Sequence, residues 1–152
     1  MINELVKLAE SRQLLLSATE HLPVEKYNFI PKGSSNNIIW NMGHLLVTGD
    51  SMLYDHSGIP RLIYPIEMAR YEKGSRPDHL VNSEEIQAIR ISLLETLRNY
   101  KNAAGFDDKI SISTNEMAPT LPLNNRALLQ FLLFHEEMHF RKIRKILQLI
   151  EN

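Results

Sequence analysis

Apolar residues recur along this chain at the three-to-four spacing of an α-helix, and no stretch shows the strict alternation of a half-buried strand. Four helical segments follow from that pattern. The first runs from about Ile2 to His21, with Leu5, Leu8, Ala9, Leu15 and Leu16 among its apolar positions, and Pro23 stops it. The second spans about Ser35 to Ser57, with Ser34 or Ser35 as its N-cap and Gly58 and Pro60 at its end. The third begins after Asn82 and Ser83, places Glu84 and Glu85 where the helix dipole favours negative charge, and fades near Gly105. The fourth starts around Asn124, past Pro119 and Pro122, and continues almost to Asn152.

The links between these segments are informative. Residues 23–33 form a turn-rich connection, whereas residues 58–82 and 105–123 form much longer, Pro- and Gly-containing ones. Helix–helix links in simple up-down bundles run about 2–8 residues. Links of about 20 residues can traverse a bundle and make neighbouring helices parallel. The expected fold is therefore all-α, a four-helix bundle with long crossover connections in a single domain over residues 1–152.

Composition narrows the function classes. Lys and Arg total 17 against 18 Asp and Glu, a net charge of -1, so the chain carries no electrostatic footprint for nucleic acid or an anionic membrane. A basic cluster, Arg141, Lys142, Arg144 and Lys145, sits near the end of the last helix, where interaction with the helix dipole accounts for it. The absence of cysteine excludes disulfides, thiolate metal sites and a cysteine nucleophile. Charges throughout Met1 to Leu22 argue against a signal peptide, and no later run approaches the roughly 18 apolar residues of a membrane span. A cytoplasmic protein is expected.

The last helix carries the candidate chemistry. His135, Glu136, Glu137, Met138 and His139 spell H-E-x-x-H, the motif in which zinc peptidases place two ligands and a general base. At 100° per residue, Leu128, Leu132, His135, His139, Ile143, Ile146 and Ile150 share a stripe roughly 80° wide. Glu137, Arg144 and Gln148 lie opposite. Both imidazoles thus point inward, one turn apart, where a single ion can reach both. A peptidase would take its third ligand from downstream. Here the chain ends 13 residues after His139, and the sole downstream acid, Glu151, lies about 18 Å further along the axis. The peptidase reading fails on that distance, and Glu136 becomes an incidental match with at most a supporting role beside the first histidine.

A third ligand must then come from upstream, from His21, His44, His56 or His79. His21 borders Pro23 and His79 falls in a loop, both surface positions, and His56 ends its helix. His44 lies within an apolar helix on a seam shared with Asn37, Trp40, Thr48 and Ser51, beside the stripe Ile38, Met42, Leu45, Gly49 and Met52. Trp40 and Thr48 are candidate substrate contacts on that seam.

Trp40-x-x-Gly43-His44 on the second helix, with His135-x-x-x-His139 on the fourth, resembles the pattern of the DinB/YfiT-like superfamily over essentially the whole chain. The resemblance implies an up-down-down-up bundle and a metal site formed by His44, His135 and His139. It also implies the family's range of chemistry, which includes bacillithiol-dependent S-transferases, mycothiol-dependent isomerases and metal-dependent hydrolases. Three neutral imidazoles leave a divalent ion its full charge and an open position. Zinc or nickel is expected, with iron, manganese or copper also compatible, and a low-molecular-weight thiol is a candidate co-substrate. The Tyr71–Pro77 loop offers Lys73 and Arg76 to a carboxylated ligand, although a solvated loop accounts for them more simply.

Three functions remain: a small-molecule metalloenzyme of transferase or hydrolase type, a non-catalytic metal- or ligand-binding bundle, and a metal-free interaction module with core histidines. Turnover separates the first two, and a melting temperature indifferent to chelation marks the third. Leu133, Phe134, Phe140 and Leu147 lie off the central stripe of the last helix, so a homodimer through that helix is expected. Its mass in solution should be twice that of the 17.6 kDa chain, and a monomeric mass rejects the expectation.

Overall fold

Two asparagines set the starts of two long helices. Asn37 Oδ1 accepts from the Trp40 N–H at 2.8 Å, and Asn82 Oδ1 accepts from the Glu85 N–H at 2.9 Å. Each satisfies an amide that the first turn leaves without an intrahelical partner. The computed structural model describes residues 2–55, 57–105 and 125–151. They form α1 (Ile2–Thr19), α2 (Val24–Asn28), α3 (Ile38–Tyr54), a 3-10 turn (Met68–Tyr71), α4 (Ser83–Ala103) and α5 (Asn125–Glu151), with no strand among the described residues. None of these helices is long and apolar enough to cross a membrane.

The all-α expectation holds, with local corrections. Neither Ser34 nor Ser35 caps α3. Asn37 does, so the helix runs over Ile38–Tyr54 rather than 35–57. The turn-rich link after α1 contains the short α2, and the 58–82 link contains the 3-10 turn. Beyond Gly105, the link expected over 105–123 lies outside the described residues, as does His56.

Both α1 and α3 pack against α4 and α5, so the sequence neighbours α1 and α3 sit on a diagonal of the bundle. Side-chain pairs give the directions. Glu4 meets Arg126 and Arg12 meets Glu136, so α1 and α5 run the same way. Tyr71, just before α4, meets Glu85 near its start, while Tyr54 at the end of α3 reaches the Thr96 carbonyl and Asn99. Ile38 and Ile86 share one apolar cluster and Leu53 and Leu97 the other, so α3 and α4 run parallel. Asn41 meets His139, and Thr19 and Leu16 meet Arg90, so the α3/α5 and α1/α4 pairs are antiparallel. These contacts fit an up-down-down-up bundle.

At its centre lies a buried ion pair. Arg12 is fully buried and Glu136 is 2% exposed. Arg12 Nε donates to Glu136 Oε1 at 2.8 Å, Nη2 donates to the same oxygen, and Nη1 donates to the Leu93 carbonyl at 2.6 Å. One guanidinium thereby ties α1 to α5 and α4. It also needs Gly49 on α3, where a Cβ would stand 2.6 Å from Arg12 Nη2. The second residue of H-E-x-x-H is therefore neither a general base nor an incidental match.

The inward stripe of α5 is as expected: Leu132, His139, Ile143 and Ile146 are buried, with Leu128, His135 and Ile150 partly so. The off-stripe apolar set is corrected. Phe140 is a core residue with the Arg144 guanidinium 4.1 Å over its ring, and Leu133 and Leu147 pack partly against the core. Phe134 is exposed, together with Phe131 and Met138.

Replacing Glu136 by Ala strands a buried guanidinium, and breaking such a pair costs about 3–5 kcal/mol. Urea denaturation should show a loss of that size, and a loss under about 1 kcal/mol would deny the pair its role.

Candidate metal centre

His44 comes from the buried middle of α3, His135 and His139 from one face of α5, and the antiparallel packing of these helices brings all three together. Their ring centroids lie 4.7 Å (His44–His139), 5.2 Å (His44–His135) and 4.6 Å (His135–His139) apart. One nitrogen from each lies within 4.8 Å of the others, a group that could hold a metal ion. Of the candidate upstream histidines, His44 joins the pair. His21 is exposed, and His79 is partly buried beside Asp78 and Glu85.

Hydrogen bonds set the ring orientations. His44 Nδ1 donates to the Tyr71 carbonyl at 2.8 Å, which leaves Nε2 as the lone-pair nitrogen. His139 Nδ1 lies 2.8 Å from Asn41 Oδ1. The amide of Asn41 donates to the Asn37 carbonyl at 2.7 Å and to Asn36 Oδ1 at 3.0 Å, so its oxygen is the end that faces the histidine. His139 must donate there, and its Nε2 also keeps a lone pair. His135 has no such anchor: its Nδ1 is sealed from solvent with no hydrogen-bond partner among the described residues. An orphaned imidazole nitrogen beside two anchored rings fits a site whose remaining partner is a cation.

Electrostatics agree. Burial holds the His139 pKa down to about 3 and that of His135 to about 4, reinforced by the neighbouring histidines and Lys142. Burial also lowers that of His44, against the opposing effect of the Tyr71 carbonyl. All three are neutral at pH 7, the form in which imidazole ligates.

The same geometry explains the glycine of Trp40-x-x-Gly43-His44. A Cβ at position 43 would overlap the Tyr71 ring, so Gly43 lets that ring lie against α3. The Tyr71 hydroxyl donates to Glu85 Oε1 at 2.6 Å, which holds the tyrosine and brings its carbonyl to His44. Trp40 stacks on His44 at 4.9 Å with planes 9° apart, and its indole N–H donates to Ser75 Oγ at 3.1 Å. The Thr48 hydroxyl lies 3.5 Å from His44 Nε2. Phe131 stacks on the far side of His135, 6.0 Å between centroids. Lys73 and Arg76 are exposed in their loop.

Three residues of the centre escaped the reading of the sequence. Arg12 stands between Leu8 and Leu15 on the apolar side of α1, an inward position that signals a buried cation in need of an acid. Asn41 is an equally legible polar residue in an apolar run. Tyr71 acts through its carbonyl, which no side-chain pattern marks.

Fold and site together define a helical bundle with an inward three-histidine group. A family model described as the DinB superfamily matches residues 7–143, and the chain belongs to that superfamily. No curated protein and no solved structure matches the chain.

Removing the Asn41 acceptor by Asn41→Ala frees His139 to rotate and to change tautomer. Loss of such a supporting partner typically costs about 10–100-fold in metal affinity. Competition with a chromophoric chelator should show that loss for zinc, and unchanged affinity would remove Asn41 from the site.

Proposed function

We propose that this protein is a metal-dependent enzyme acting on a small molecule, with His44, His135 and His139 as the ligands of one divalent ion. The observation that carries the reading is the set of three neutral imidazoles converging within 4.8 Å, two of them held by their Nδ1 atoms. When bound, zinc or nickel in such a site supplies Lewis acidity, either to a thiol, held as thiolate, or to water.

The chain's own residues favour the thiol. Glu136, which would serve as general base for hydrolysis, is turned into Arg12 and away from the histidines. Transfer of sulfur to an electrophile needs no such base once the thiol is ionised. Trp40 forms an apolar wall stacked on His44, and Thr48 places a hydroxyl beside His44 Nε2. In this reading Trp40 shields the reacting sulfur from water, and Thr48 orients the electrophile through a hydrogen bond. Phe131, Phe134 and Met138 extend an exposed apolar face from His135 along α5, the face proposed for homodimer contact.

The test is turnover. Zinc- or nickel-loaded protein should accelerate the attack of a low-molecular-weight thiol on an activated aryl halide. Thr48→Val should lower kcat by up to roughly tenfold, the worth of one hydrogen bond. Hydrolysis of esters or amides without thiol transfer would move the assignment to hydrolase. Metal occupancy with neither activity would make the protein a binding bundle.

A further inference from the structure

The turn before α3 and the last part of α5 line an open surface cavity of about 360 Å³. That volume falls within the roughly 300–1,000 Å³ of small-molecule sites. Lys32, Ser35 and Asn36 line it from the turn, Lys142, Lys145 and Ile146 from α5, and no acidic residue contributes to its wall.

The helix dipole accounts for cations near the end of α5 but not for how they are sorted. Arg141 and Arg144 turn to Glu137, at 3.1 Å and 3.6 Å from its Oε1. Lys142 and Lys145, one turn apart and exposed, instead line the same cavity as Lys32. Among the described residues no acid pairs with any of the three. In a chain of net charge -1, three ammonium groups around one concave surface are a local concentration of positive charge. Water screens their mutual repulsion, and an anion between them is attracted by all three.

Two hydrogen bonds link the cavity wall to the histidine centre. Asn36, in its wall, accepts from Asn41 at 3.0 Å, and Asn41 accepts from His139 at 2.8 Å.

We propose that this cavity is an anion subsite, in which Lys32, Lys142 and Lys145 hold the carboxylate- or phosphate-bearing end of the small molecule whose reacting end lies at the three histidines. The placement of the reacting end rests on the metalloenzyme reading above. The anion site itself stands on the cavity and its charges.

Calorimetric titration with succinate and with inorganic phosphate, at low ionic strength where screening is weak, tests it directly. The full chain is compared with Lys142→Gln/Lys145→Gln and with Lys7→Gln/Arg98→Gln, which removes the same charge from exposed positions elsewhere. The wild type and the Lys7/Arg98 variant should bind at least one probe with similar affinity. The Lys142/Lys145 variant should lose at least roughly tenfold, the scale of one charge-assisted contact. A preference for succinate assigns a carboxylate-bearing ligand, and a preference for phosphate a phosphorylated one. No binding of either probe by the wild type, or equal losses in both variants, overturns the proposal. Each titration is run on metal-stripped and zinc-loaded protein. Anion binding without zinc uptake supports the subsite and removes the metalloenzyme reading, whereas zinc uptake without anion binding removes the subsite alone.

Discussion

Arg12 is a charged side chain at the centre of an apolar bundle, and its burial is tolerable only because three helices serve it at once. Glu136 supplies the counter-charge, Leu93 a carbonyl, and Gly49 the empty space the guanidinium occupies. Isolated burial of such an ion would be prohibitive, and partial pairing nearly so. The pair therefore admits very little sliding or rotation of α5 against α1 and α4. Glu136 lies between His135 and His139 in sequence, so whatever fixes its direction fixes theirs. The acid that looks like a catalytic base in the motif acts instead on the adjoining buried face of the helix, toward α1, as the peg that aims the two histidines.

A second constraint works on the rings. Rotation about χ angles would let three imidazoles drift apart, and each anchored ring is held by a different device. His44 is held by a backbone carbonyl that arrives because residue 43 has no side chain to obstruct Tyr71. His139 is held by an asparagine whose own amide is committed to Asn36 and Asn37. The cost of ordering the site is thus met largely by folding, which leaves a preorganised set of neutral donors. His135, with its buried Nδ1, is the ring whose hydrogen-bonding needs the described residues do not meet.

Helical periodicity, prolines and caps made most of the fold legible, because each reports on local backbone chemistry. The inward direction of His135 and His139 followed from the 100° turn per residue alone. Selecting His44 required the order and spacing of Trp40, Gly43 and the two later histidines. Other features were hidden for physical reasons. Asn37 capped α3 in preference to two nearby serines because its side chain reached the Trp40 amide, a competition that composition does not rank. The role of Glu136 depended on an arginine 124 residues away, and such a pairing leaves no periodic trace. Phe140 lies off the central stripe by angle, which made it a dimer-contact candidate, yet it packs into the core beneath Arg144.

The central claim is that the three histidines are metal ligands, and metal content measures it without any assumption about substrate. Elemental analysis of protein purified from its native host, alongside His44→Ala prepared in the same way, should find about one divalent ion per wild-type chain and a large deficit in the variant. Wild-type protein without stoichiometric metal, or a variant that keeps the wild-type content, would contradict it.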